Sequence, residues 1–191
     1  VLFILIITSC KDGEKSQEAR MPEQYALEDL YNTKSISASG FNTDETKILI
    51  DNNTSGIYNA YELTISDTTA IALTKSTKES IYTVDYLPGS SKFIYSADEG
   101  GDENSHLFVM DRKNNTSKDI TPWKNSANSF FGWSHDKKNM YINSNKRDVK
   151  YFDLIKLDTL TWKPTILYQT DSDLSPSLIS KTERYVVLTK S

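Results

Sequence analysis

The chain has 191 residues, a net charge of −4 and 25% charged residues, which is the profile of an ordinary, mildly acidic globular protein. It has no basic excess, so nucleic acid is not an expected partner. The single cysteine, Cys10, rules out an intramolecular disulfide, and the abundance of Tyr, Asn, Ser and Thr favours strands and turns over helices.

The N-terminus reads VLFILIITSC, seven apolar residues followed by Thr8, Ser9 and Cys10, and then the polar run KDGEKSQEAR. The apolar run is too short to span a membrane and has the form of the end of a signal-peptide core. Ile7-Thr8-Ser9-Cys10 resembles the bacterial lipobox, an aliphatic and two small residues before a cysteine. That resemblance implies cleavage before Cys10 and acylation of Cys10, which would hold the protein at a membrane. A buried strand with a chance free cysteine is the competing reading. The chain opens on Val1 with no Met and no basic segment, so residues 1–9 are expected to be a truncated lipoprotein signal peptide. Residues 10–33 then form the lipidated Cys and a polar tether, with one short helical turn near Glu23 to Leu30.

From residue 34 onward the chain repeats itself. FNTDETKILI, YLPGSSKFIY, WSHDKKNMYI and LISKTERYVV, starting at Phe41, Tyr86, Trp133 and Leu178, align without a gap. Each starts on a large apolar residue, passes through a polar turn to Lys47, Lys92, Asn139 or Arg184, and enters a strand. The steps are 45, 47 and 45 residues, and YELTIS, HLFVMD and DLIKLD each begin 20 residues past their anchor. A fourth short strand follows each time: AIALT, KDIT and TILY. Four strands in about 45 residues is the period of a propeller blade. A β-sandwich also has many short strands but no constant register of this kind. The expected fold is therefore all-β, a partial β-propeller of four-stranded antiparallel blades over 34–191, about three and a half blades. The segments KILI, KFIY, NMYI and RYVVL are nearly continuous in apolar residues, as strands buried on both faces are.

Two stretches carry candidate chemistry. GWSHDKKN places Ser134, His135 and Asp136 in a row. A nucleophile elbow needs a second glycine where Asp136 stands, and adjacent side chains on an extended chain point to opposite faces, so the three cannot form a triad. The segment resembles the W-S-P-D-G-K turn of TolB-like propeller repeats, with Asp136, like Asp44, bonding its own turn and His135 exposed. The second stretch is YSADEGGDENSHLFVMD, in which Asp98, Glu99, Asp102 and Glu103 flank Gly100-Gly101. It lacks the alternating ligands of a calcium loop and has no partner base for acid–base work. It reads as the hairpin between the second and third strands of a blade, with the glycines at positive φ and the acids facing water.

The run Asp98 to Asn104, then His106-Leu107-Phe108, Asp111 and the close Ile120-Thr121-Pro122, resembles an early blade of the N-terminal propeller of the prolyl oligopeptidase family. The branch is the bacterial dipeptidyl aminopeptidase and acylaminoacyl-peptidase type, and the resemblance covers about residues 35 to 191. It implies a lipid-anchored envelope serine peptidase, periplasmic or at the cell surface. There the propeller gates short peptides toward an α/β-hydrolase domain lying outside this chain. The alternative is a non-catalytic TolB-like propeller lipoprotein that binds a protein or glycan. The chain has no G-x-S-x-G, and both of its histidines, His106 and His135, sit in repeats. No catalytic, metal-binding or cofactor residue is therefore assigned, no cofactor is expected, and Cys10 is the one candidate site. Glu99 and Glu103 do not match the family's substrate-amine glutamates. The expected partners are peptides, through the hydrolase domain, and a membrane, through the anchor. Open blades leave apolar faces and strand edges bare, so the 191-residue chain expressed alone is expected to aggregate or stay partly disordered. Size-exclusion chromatography and a thermal melt check this, and a monomer with a cooperative transition is the contrary result.

Overall fold

A computed structural model describes residues 24–172 and 174–190. Cys10, the lipobox and most of the tether lie outside the described residues. The chain divides into two units at Thr33/Lys34. In the first, α1 (Leu27–Tyr31) is a single turn, four residues C-terminal to the start expected from the sequence. The Asp29 carboxylate accepts the backbone N–H of Ala26 at 3.1 Å, so the turn starts where an acid three residues on can close it.

In the second unit, β1 (Ile36–Phe41), β2 (Lys47–Asn52), β3 (Asn59–Thr64) and β4 (Ala70–Ala72) form one antiparallel sheet in sequence order. β5 (Tyr82–Tyr86), β6 (Phe93–Ala97), β7 (His106–Asp111) and β8 (Thr116–Asp119) form the second. β9 (Asn128–Trp133), β10 (Asn139–Asp148), β11 (Tyr151–Asp158) and β12 (Pro164–Tyr168) form the third. β13 (Leu174–Ile179) and β14 (Val186–Lys190) form a two-stranded sheet. The fold is a partial β-propeller, as the spacing of the repeats predicts.

The turn between the first two strands is built alike in every blade. The N–H of Asn42, Leu87, Ser134 and Ser180 donates to the carbonyl five residues on, at 3.0, 2.9, 2.9 and 2.9 Å. In three of the four, the side chain of that first residue also accepts the returning N–H: Asn42 from Lys47, Ser134 from Asn139 and Ser180 from Tyr185. The anchors that pair across the turns are Phe41 with Ile48, Tyr86 with Phe93, Trp133 with Met140 and Ile179 with Val186. The fourth repeat is thus one residue out of the register read from the sequence. Ile179 is its anchor, and Leu178 is exposed. Every first strand also carries a bulge just before its anchor, between Ala38 and Phe41, Thr83 and Asp85, Phe130 and Gly132, and Pro176 and Leu178. A bulge adds local twist, and its repetition gives each inner strand the same bend.

The sheets pack face to face. Successive strand residues point to opposite faces, so Phe93, Tyr95 and Met110 meet Leu49 and Ala60 of the first blade. Their neighbours Ile94, Leu107 and Val109 meet Met140, Ile142, Ile155 and Leu157 of the third. The second blade is therefore buried on both faces. RYVVL differs: Tyr185 and Val187 are exposed, because among the described residues no blade covers the outer side of β14.

Polar locks cross the same seams. Asp51 on β2 accepts the N–H and the hydroxyl of Thr83 on β5, at 3.1 and 2.8 Å. Asp85 accepts the indole N–H of Trp133 at 2.8 Å. A Cβ on Gly40 would lie 2.1 Å from Asp85 Oδ1, so only glycine permits that approach of β1 to β5. The densest lock is Glu62, which is 1% exposed. It takes Lys47 Nζ at 2.8 Å, the Tyr86 hydroxyl at 2.8 Å, and a two-point pair with Arg112 at 2.5 and 3.1 Å. Burial by itself raises the pKa of this carboxyl, but the hydrogen bonds from Arg112, Lys47 and Tyr86 outweigh it and hold the value below the ordinary one. The lowered folded pKa means that the stability from this lock is complete above the unfolded value of about 4.3, and is lost as pH falls through the folded value. Glu62→Ala is expected to cost about 3 kcal/mol at pH 7. Urea denaturation of parent and variant, both at native length, across pH 3 to 7 reads both effects, and the difference between the two proteins should shrink at the acid end.

Candidate functional site

The acidic segment forms the connection between β6 and β7. Gly100 and Gly101 have φ of +67° and +75°, the left-handed region that glycine enters without a Cβ clash, and Glu103 joins them at +62°. The loop is tied down from within and from the preceding connector. Asp102 accepts both the backbone N–H and the side-chain amide of Asn104, at 3.0 and 2.9 Å, and these bonds lower its pKa. The Asp98 carboxylate accepts the N–H of Glu103 at 3.3 Å. Glu79, from the link between the first two blades, accepts the N–H of Gly100 at 3.0 Å. On the other side Asn128 of β9 donates twice to the Ser105 carbonyl. The hairpin is thus held between the connector before its blade and the first strand of the next.

A cavity of about 360 Å³ opens on one flank, lined by Asp98, Glu99, Asp102, His106, Phe108, Asp119 and Lys124. His106 Nδ1 lies 2.8 Å from Asp119 Oδ2, and Asp119 Oδ1 accepts the N–H of Thr121 at 2.8 Å. With Nδ1 carrying the proton, Nε2 is left as an acceptor. Phe108 stacks on Tyr95 at 5.0 Å, and His106 lies over Phe108 at 6.4 Å. Asp98, Glu99 and Asp102 form no ion pair among the described residues. The cleft therefore favours ligands that donate hydrogen bonds or carry positive charge. Among the described residues no group of three or more His, Cys, Asp or Glu is placed to hold a metal ion. The sequence placed His106 in a strand but missed its pairing with Asp119. The signal was available, since the first residue of β7 and the last of β8 lie at the open end of the same hairpin.

GWSHDKKN behaves as a blade turn. Ser134 is buried; its hydroxyl donates to Asp136 Oδ1 at 2.8 Å and accepts the N–H of Asn139 at 2.9 Å. Asp136 also takes the N–H of Lys138 at 3.1 Å, and the Ser134 and Lys138 bonds lower its pKa. His135 is exposed and shares no hydrogen bond with Ser134. Asp44 does the same work in the first blade, accepting the N–H and hydroxyl of Thr46 at 3.2 and 2.6 Å. No acyl-transfer site is assembled here.

The fold and the hairpin together define part of a β-propeller of the kind shared by TolB and by prolyl-peptidase propellers. No protein-family profile matches the chain. Over 109 residues, 56% of its length, it is 30% identical to dipeptidyl aminopeptidase BIII of Pseudoxanthomonas mexicana, and the chain spans 16% of that peptidase. TolB from Acinetobacter baumannii superposes with a TM-score of 0.61 at 15% identity, over 81% of this chain and 37% of TolB. A prolyl endopeptidase structure superposes with a TM-score of 0.57 at 8% identity, over 76% of this chain and 23% of the endopeptidase. At such identities the two structures bear on fold alone. The resemblance read from the acidic hairpin holds: the chain is similar in sequence to a dipeptidyl aminopeptidase and in fold to these propellers.

If Ser134 is a turn clamp, Ser134→Ala should cost about 1 kcal/mol in urea denaturation. The same residue should take no label from a fluorophosphonate probe, as read by peptide mass spectrometry.

Proposed function

We propose that this chain is the propeller portion of a secreted, lipid-anchored serine peptidase that hydrolyses short peptides in the cell envelope. The observation that carries the reading is the 30% identity with a dipeptidyl aminopeptidase over 109 residues. In this reading the propeller restricts entry to short peptides. The nucleophile and the oxyanion donors belong to a hydrolase domain outside the 191 residues. Cys10 carries the anchor, in the sequence context Ile7-Thr8-Ser9-Cys10. The acidic hairpin lies on a blade end, tied to Glu79 and to Asn128 of β9, and its carboxylates suit a peptide's positively charged groups.

A second reading is a non-catalytic propeller lipoprotein that binds a protein or a glycan, since a propeller fold by itself does not fix a chemistry. Both readings share the anchor and differ in chemistry. The discriminating experiment expresses the gene product at its native length, fractionates the envelope and adds a fluorophosphonate probe. The peptidase reading expects covalent labelling of a serine outside residues 1–191 and cleavage of short peptide substrates. An unlabelled, inactive protein whose remaining sequence only closes the ring would overturn it. Cys10→Ser is expected to release the protein from the membrane fraction.

A further inference from the structure

The anchors Phe41, Tyr86, Trp133 and Ile179 fix equivalent positions in the four repeats, so each polar lock can be followed from seam to seam. Three positions carry the locks. Asp51 stands ten residues past its anchor, and its partner Thr83 stands three before the next anchor. Glu62 stands twenty-one past its anchor and takes Tyr86 and Arg112 of the next blade. Asp85 stands one before its anchor, and its partner Trp133 is the next anchor itself. The first seam has the first two of these locks. The second seam has the third, and Asn128 adds its bond to the Ser105 carbonyl.

In the third blade all three positions have changed. Leu154 stands where Glu62 does, and Gly132 where Asp85 does, and the next anchor, Ile179, has no side-chain donor. Asn143 stands where Asp51 does and can still accept a hydrogen bond. The place of Thr83, however, is taken by Pro176, which is buried and has neither an N–H nor a hydroxyl. The Asn143 side-chain oxygen is accordingly buried with no hydrogen-bond partner. Such an acceptor bears its desolvation cost while the blades are closed and recovers water when they part. Among the described residues one ion pair joins the two sheets, Lys156 with Glu183 at 3.4 Å, and Glu183 also stands beside the Tyr141 hydroxyl. The paired side chains are 28% and 31% exposed, so water screens the pair, and it lies at the turn of the fourth blade and not along the inner strands.

We infer that the seam between the third and fourth blades is a built-in hinge: the first three blades hold together as one body, and the fourth swings away from β10 and β11 while the rest of the chain stays folded. Apolar contact closes this seam as it closes the others, but it is not directional. With the locks missing and one acceptor orphaned, opening costs least here. The inference rests on residues within the four repeats and does not depend on the peptidase reading.

Two equivalent leucines supply the test. Leu107 and Leu154 each stand twenty-one residues past an anchor, and both are 0% exposed. Leu107 packs against the third blade, and Leu154, on the same side of its strand as Lys156, points to the fourth. Leu107→Cys and Leu154→Cys are made singly in the protein at native length and treated with a thiol reagent under native conditions. Labelling at each position is timed by peptide mass spectrometry. The hinge predicts labelling at position 154 about tenfold or more faster than at position 107, whereas global unfolding labels both at one rate. Pro176→Thr, added to each variant, returns an N–H and a hydroxyl opposite Asn143. It should slow labelling at position 154 about fivefold, the effect of one net hydrogen bond, and leave position 107 unchanged. The comparison of the two leucine variants stands whether or not Pro176→Thr folds. Equal rates at the two positions overturn the inference, as does a rate at position 154 that a folded Pro176→Thr protein leaves unchanged.

Discussion

The carboxylate of Glu62 is buried between two blades, and a buried charge is tolerated only when its partners are in place. Two of those partners, Tyr86 and Arg112, come from the second blade and one, Lys47, from the first. The hub therefore fixes the distance and angle between the sheets, where apolar packing alone would let them slide. Asp51 with Thr83, and Asp85 with Trp133, repeat the device at lower density along the inner strands. Hydrophobic residues supply the attraction between blades; directional bonds across the seams supply the geometry. The shared bulge before each anchor adds the same local twist to each first strand.

Much of this was legible in the sequence because it is local. The turn after each anchor needs a side-chain acceptor and a residue at positive φ, and those demands leave Asp44, Asp136 and the repeat period visible in the letters. The acidic hairpin was legible for the same reason, since adjacent glycines announce the bend. The inter-blade locks were not. Glu62 and Arg112 are 50 residues apart, and nothing in either neighbourhood names the other. The bulges left no compositional mark, being filled by residues as different as Val84, Phe131 and Ser177. The fourth repeat departs by one residue from a constant spacing, and its chemistry marks the true anchor. Ser180 plays the part of Asn42 and Ser134, and matching those polar residues would have placed Ile179 as the anchor.

The two stretches that looked most like chemistry have come apart. Ser134, His135 and Asp136 belong to a turn whose hydroxyl and carboxylate are consumed in holding it shut. The acidic hairpin keeps three carboxylates free of ion pairs beside a cavity, with a histidine oriented by Asp119. A propeller scaffold can serve a peptidase or a binding protein, so its function has to be sought in such exposed ends.

The most direct test of the seam as the organising constraint is a double-mutant cycle on Glu62 and Arg112 in the protein at native length, with stability measured by urea denaturation at neutral pH. If this lock sets the geometry of the first two blades, Glu62→Ala, Arg112→Ala and the double variant should give a coupling of about 2 kcal/mol. A coupling within about 0.3 kcal/mol of zero would contradict it, and would leave the blade angle to apolar packing and the other contacts across the seam.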